Sequence, residues 1–164
     1  MNQSVNAVMG IDPGVNGGLA VLRIDGGVEY LRAFQPSMTH AELVDAVRFA
    51  LKCMAYWKSR TVYVEKVGSM PTDGRRAANT FGRVDGLIRG ALLMAGYPPL
   101  DVSPMMWQSA MECLSGGNKN VTKKRALELF PRERITHAVA DALLIAEYGR
   151  RRLVVSTPPF PPAI

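Results

Sequence analysis

Cysteine is scarce in this chain. There are two in 164 residues, Cys53 and Cys113, and neither belongs to a C-x-x-C pair, which argues against zinc or thiol redox chemistry. Both fall in apolar helical patterns and are expected to be buried thiols in a reducing cytoplasm. Long hydrophobic runs are missing too, so no window offers a membrane span, and Met1-Asn2-Gln3-Ser4 lacks the charged-then-apolar plan of a signal peptide. Internal repeats are absent. Acids are in deficit, with 14 Asp and Glu against 20 Lys and Arg, a net charge of +6 and a pI near 9.6. What remains is 48% hydrophobic with a mean hydropathy of +0.02. That composition describes one soluble globular domain over residues 1–150, followed by a basic, then Pro-rich, tail over 151–164.

The positive excess is clustered. It gathers at Arg75 and Arg76 with Arg83 and Arg89, at Lys119 with Lys123, Lys124 and Arg125, at Arg132 and Arg134, and at Arg150, Arg151 and Arg152. Most of these stand in loops or helix starts, and no strongly amphipathic basic helix stands apart from the core. A polyanion partner is expected, nucleic acid before membrane. The competing reading is ordinary solvated surface charge.

Strand signals come first, at Val5–Asp12, Leu19–Ile24 and Val28–Phe34, joined by Gly-rich turns as an antiparallel meander. Thr39 then caps an amphipathic helix to about Tyr56. A β-branched strand covers Thr61–Val67, and a helix spans Ala77–Ala95. A short strand follows at Leu100–Ser103, then helices at Pro104–Leu114, Thr122–Phe130 and from Thr136 to Gly149. The order β-β-β-α-β-α-β-α-α-α predicts a mixed α/β fold. Strands separated by a helix should pair in parallel, which places Thr61–Val67 beside the first strand.

Three acids stand out in this layout. Asp12 ends an apolar run in Gly10-Ile11-Asp12-Pro13-Gly14, and on its own it reads equally as the start of a turn or as a functional anion. Glu65 ends the strand Thr61–Val67 in phase with Tyr63, as Asp12 is in phase with Gly10 and Val8. On neighbouring strands the two carboxylates would lie about 5 Å apart. That spacing suits a pair of divalent ions about 3.5–4 Å apart, as used for in-line phosphodiester hydrolysis. Hard oxygen ligands select Mg²⁺, or Mn²⁺, over zinc. Asp141 sits in an apolar, Ala-rich helix and needs a partner there, either a metal ion or a buried salt bridge. His137 shares its face at i,i+4, and reads equally as a ligand or as a half-exposed helix-start residue. The remaining acids have plainer roles: Asp85 can pair with Arg89, and Glu147 has ordinary polar neighbours.

Taken together, Gly10–Gly14, Val64-Glu65 and the helix Ala140–Tyr148 resemble the RuvC-type Holliday-junction resolvases, particularly their bacteriophage and prophage branch. Val102–Trp107, Lys119 and Lys124–Pro131 extend the likeness over about residues 7–149. The resemblance implies a ribonuclease H-like fold with a five-stranded mixed sheet, three strands antiparallel and two parallel, flanked by helices. It implies a homodimer in a bacterial host cytoplasm that makes paired symmetrical Mg²⁺-dependent nicks in four-way DNA junctions, with two ions per site. Asp12, Glu65 and Asp141 match the family's metal ligands. His137 approximates a fourth, although the family often places it at the position of Ala138. Lys119 resembles a basic residue at the scissile phosphate. Bacterial members carry a base-stacking aromatic shortly after the strand Glu, where this chain has Lys66 to Met70 and no aromatic. Lys66, Met70, Arg75, Arg76, Lys119, Lys123 and Lys124 are the expected DNA contacts. The apolar surplus of helix Ala77–Ala95 would supply the dimer face. The alternatives are a broader nuclease of forks, flaps and Y-junctions, and a non-catalytic junction-binding protein.

Overall fold

The computed structural model describes residues 6–57, 59–66 and 74–156. Five strands, β1 (Asn6–Asp12), β2 (Gly18–Arg23), β3 (Val28–Ala33), β4 (Ser59–Glu65) and β5 (Leu100–Val102), form one sheet in the order β3-β2-β1-β4-β5. The first three are an antiparallel meander, and β4 and β5 join in parallel. This is the sheet that the sequence predicts. The helices are α1 (His40–Cys53), α2 (Arg75–Met94), α3 (Pro104–Ala110), α4 (Lys119–Leu129) and α5 (His137–Ser156). Among the described residues, no helix is long and apolar enough to cross a membrane.

Because β1 is central, both its faces are buried and its sequence is apolar without a break from Ala7 to Ile11. Its period of two divides the core. Ala7, Met9 and Ile11 pack with Val62 and Val64 under α1 and α2. Val8 packs with Tyr63 against α5, beside Trp107, Met111, Cys113 and Phe130. Gly10 shares that second face, and a Cβ there would lie 2.3 Å from the Ala142 carbonyl oxygen and the Ala146 nitrogen. Only glycine lets α5 lie this close to the strand, with Ala142 and Ala146 supplying the flat helix surface.

Helix boundaries differ from the sequence-based expectation where capping or ion pairing decides them. Thr39 and Glu42 form a reciprocal capping box on α1. Asn118 accepts from the Asn120 amide at 3.0 Å, so α4 starts at Lys119 rather than Thr122. At the other end, α5 does not stop at Gly149, which instead packs on Tyr63, where a Cβ would lie 2.5 Å from the ring. The helix continues into the expected tail, tied by Glu147 to Arg150 at 2.6 Å and to Arg151 at 2.8 Å. Burial pushes the Glu147 carboxyl up, but the hydrogen bonds from Arg150 and Arg151 outweigh it and hold the group below its ordinary range. Glu147 is thus a buried counter-ion rather than a surface acid. The three consecutive arginines are engaged internally, since Arg150 also donates to the Ile24 carbonyl and Arg152 lies over the Tyr148 ring. Asp85 pairs with Arg89 as expected, and Arg89 also reaches Asp101 at 2.7 Å, tying α2 to β5. Cys113 is buried, while Cys53 is half-buried.

Candidate active site

The β1–β4 register pairs Ile11 with Val64, so the next residues, Asp12 and Glu65, end adjacent parallel strands side by side. Both point to the α5 face, because they fall in phase with Val8 and Tyr63. Each is 8% exposed, and together they account for two of the four buried polar or charged residues of the described structure. Asp141 projects from the second turn of α5 toward the same end of the sheet. Its charge acts on both other acids.

Each strand carboxylate is held by one donor. The Gly14 amide donates to Asp12 Oδ1 at 3.0 Å, in the turn that Pro13-Gly14 makes after β1. The Trp107 indole donates to Glu65 Oε1 at 2.8 Å. The Thr122 hydroxyl of α4, which donates to the Lys119 carbonyl at 3.2 Å, lies close enough to the Asp141 carboxylate to favour its charged form. Asp141 Oδ1 is left over: among the described residues it is the one buried side-chain polar atom with no hydrogen-bond partner. Buried polar atoms are almost always paired, so this oxygen points to a partner of another kind.

Electrostatics tell the same story. Burial raises the Asp12 carboxyl above its ordinary range, the Gly14 amide opposes this, Asp141 adds to it and Lys119 opposes it. Glu65 is pushed up to about 7, first by burial and then by the Asp12 charge, against the Trp107 hydrogen bond. Burial likewise raises Asp141, against Thr122, Lys119 and His137. Three acids therefore repel one another in a low-dielectric site, and the charge of Lys119, the first residue of α4, acts on all three. The Cys113 thiol is also pushed up, to about 11, by burial and then by Asp141.

The raised Glu65 carboxyl makes a signed prediction. Between about 4.5, its ordinary value, and about 7 the folded protein holds a proton that the unfolded chain has released, so stability falls as pH rises through that window. In EDTA the melting temperature of Glu65→Gln should fall less between pH 5 and pH 8 than that of the wild type. Equal slopes in the two proteins would show that Glu65 titrates normally.

Other expected site residues are placed as follows. His137 opens α5, is exposed, and has Nε2 3.0 Å from Asn120 Oδ1. Lys119 and Lys123 share one face of α4, with Lys124 exposed beside them. Lys66 is exposed, and its amide bonds the Val102 carbonyl just beyond β4. Arg75 and Arg76 are exposed in the first turn of α2. Met70 lies outside the described residues. Trp107 and Thr122 were not identified as site residues from the sequence. Trp107 looks like a core residue, and its one signal is an indole N–H on a helix face with no local partner.

The residues fit a hard divalent cation, since the donors are carboxylate oxygens and one of them is orphaned. As the side chains stand, no three His, Cys, Asp or Glu among the described residues are drawn together tightly enough to hold a metal ion.

No family model matches the chain, and no curated protein does. Solved structures do. Thermus thermophilus RuvC in complex with a Holliday junction substrate aligns with a TM-score of 0.66 and 23% identity, covering 92% of this chain and 96% of that one. A second structure of Thermus thermophilus RuvC gives a TM-score of 0.66 and 21% identity, covering 92% and 97%. The fold is therefore RuvC-like and ribonuclease H-like over nearly the whole chain.

Proposed function

We propose that this chain is a divalent-metal-dependent endonuclease of branched DNA, a Holliday-junction resolvase of the bacteriophage or prophage type. The observation that carries the reading is the unpartnered, buried Asp141 Oδ1 beside two further acids whose carboxyls burial and mutual repulsion raise. A purely structural cluster would have gained a cation or lost a charge, because uncompensated buried anions are costly.

Asp12, Glu65 and Asp141 would hold Mg²⁺ or Mn²⁺, with His137 as a fourth ligand. Ions held there would supply Lewis-acid charge for phosphodiester hydrolysis. The chain's own groups do the rest. Gly14 fixes Asp12 from the backbone, and Thr122 of α4 favours the charged form of Asp141. Lys119 would offset charge on the scissile phosphate. Lys123 and Lys124, Lys66 and Met70, and Arg75 and Arg76 would track the DNA on either side. The structural neighbour solved with a Holliday junction supports DNA of that shape as the substrate. A homodimer would set two sites for paired cuts. In its support, α2 buries only Ile88 and Leu92 and leaves Leu93 and Met94 59% and 90% exposed.

The test is nicking of an immobile four-way junction, a Y-fork and plain duplex, each end-labelled, with Mg²⁺. Symmetrical paired cuts confined to the junction are expected. Equal cutting of fork and junction would make the protein a general branched-DNA nuclease. Binding without cutting would leave a non-catalytic junction binder and end the proposal.

A further inference from the structure

We infer that Trp107 is a positioning residue for the metal centre: its buried indole N–H pins Oε1 of Glu65 and leaves Oε2 to the cation. The inference rests on the metal-centre reading above and deepens it. Trp107 is fully buried, and its Nε1 donates to Glu65 across 42 residues of sequence at 2.8 Å. An indole has one donor and no acceptor, so a buried tryptophan fixes whatever accepts from it.

The indole is itself well anchored. β5 pairs with β4 in a register that sets Val102 beside Glu65. Ser103 then caps α3, Pro104 opens it, and Trp107 is carried back over the sheet into the core formed with Met111, Cys113 and Leu144. Residues 102–107 thus form a brace that starts and ends at Glu65. A glutamate side chain has three rotatable bonds, and its neighbours Asp12 and Asp141 repel it. Without the indole it would turn away from them. Groups that orient a ligand in this manner typically carry about 10–100-fold in metal affinity.

The chain has two tryptophans, so its ¹⁵N–¹H spectrum holds two indole signals. The other belongs to Trp57, which donates to the Cys53 carbonyl at the end of α1, away from the acids. A Trp57→Phe protein, free of DNA, is titrated with Mg²⁺. The remaining indole signal should shift saturably and in step with the Asp12 amide. In Trp107→Phe, the Mg²⁺ midpoint read at the Asp12 amide should rise about 10–100-fold. The Mg²⁺ requirement for cleavage should rise by the same factor, with the rate recovered at saturating Mg²⁺. If the amides of Asp12, Glu65 and Asp141 move while the indole stays still, the Trp107 inference falls and the metal centre stands. If no signal moves, both fall. Should Trp107→Phe not fold, the Trp57→Phe titration decides alone.

Discussion

Asp12→Asn is expected to lower cleavage of branched DNA by about 10³-fold while raising the melting temperature of the metal-free protein. The two effects have one origin. Asp12 is 8% exposed and its carboxyl is raised, first by burial and then, against the Gly14 amide, by Asp141. At neutral pH its charge therefore opposes folding, and a neutral isostere that still accepts from the Gly14 amide removes that opposition. The melting temperature in EDTA should therefore rise, as the sign of the shift requires. The loss in rate follows because Asp12 is one of the three carboxylates that would hold the metal. Losing several kcal/mol of transition-state stabilisation costs about 10³-fold. Melting in EDTA and in Mg²⁺, beside single-turnover nicking, checks both halves. Mg²⁺ should stabilise the wild type and leave the variant unmoved. Normal cutting by Asp12→Asn would remove the proposed centre, and a lower melting temperature in EDTA would mean the Asp12 charge is already well satisfied.

Gly10→Ala is expected to be the most damaging change outside the acids. The added Cβ would lie 2.3 Å from two backbone atoms of α5 and 2.9 Å from the Ala146 Cα, and no side chain can swing aside to relieve backbone contacts. The helix must move away from β1. Overpacking of this kind costs about 3 kcal/mol or more, roughly 6–12 °C of melting temperature. Because α5 carries Asp141, the folded fraction should also cleave more slowly. Thermal melting combined with nicking at a temperature where the variant is fully folded separates the two effects. An unchanged melting temperature would show that α5 does not press on β1 as described.

The strand acids were legible because a period of two assigns faces without knowledge of the fold. Asp12 falls in phase with Val8 and Gly10, and Glu65 with Tyr63, and the register that pairs Gly10 with Tyr63 sets both acids on one side. Asp141 was legible as the lone acid of an apolar helix face. Trp107 was not, because its partner is 42 residues away and a tryptophan among methionines reads as core. Thr122 was hidden by the start of α4, which Asn118 fixes through a cap inside a Gly-rich stretch. The run Arg150–Arg152 looked like a polyanion site from charge alone. Its i,i+3 and i,i+4 spacing from Glu147 was visible in the sequence, but the burial of Glu147 that gives the pairing its force was not. Surface charge patterns overstate binding wherever a buried counter-ion lies one helical turn away.

The claim at the centre of this account is that Asp12, Glu65 and Asp141 form one divalent-metal site. Crystals grown with Mn²⁺ and measured for its anomalous scattering test it directly. The account predicts an anomalous peak within bonding distance of the Asp12 carboxylate and Asp141 Oδ1. Three empty carboxylates at saturating Mn²⁺ would contradict it.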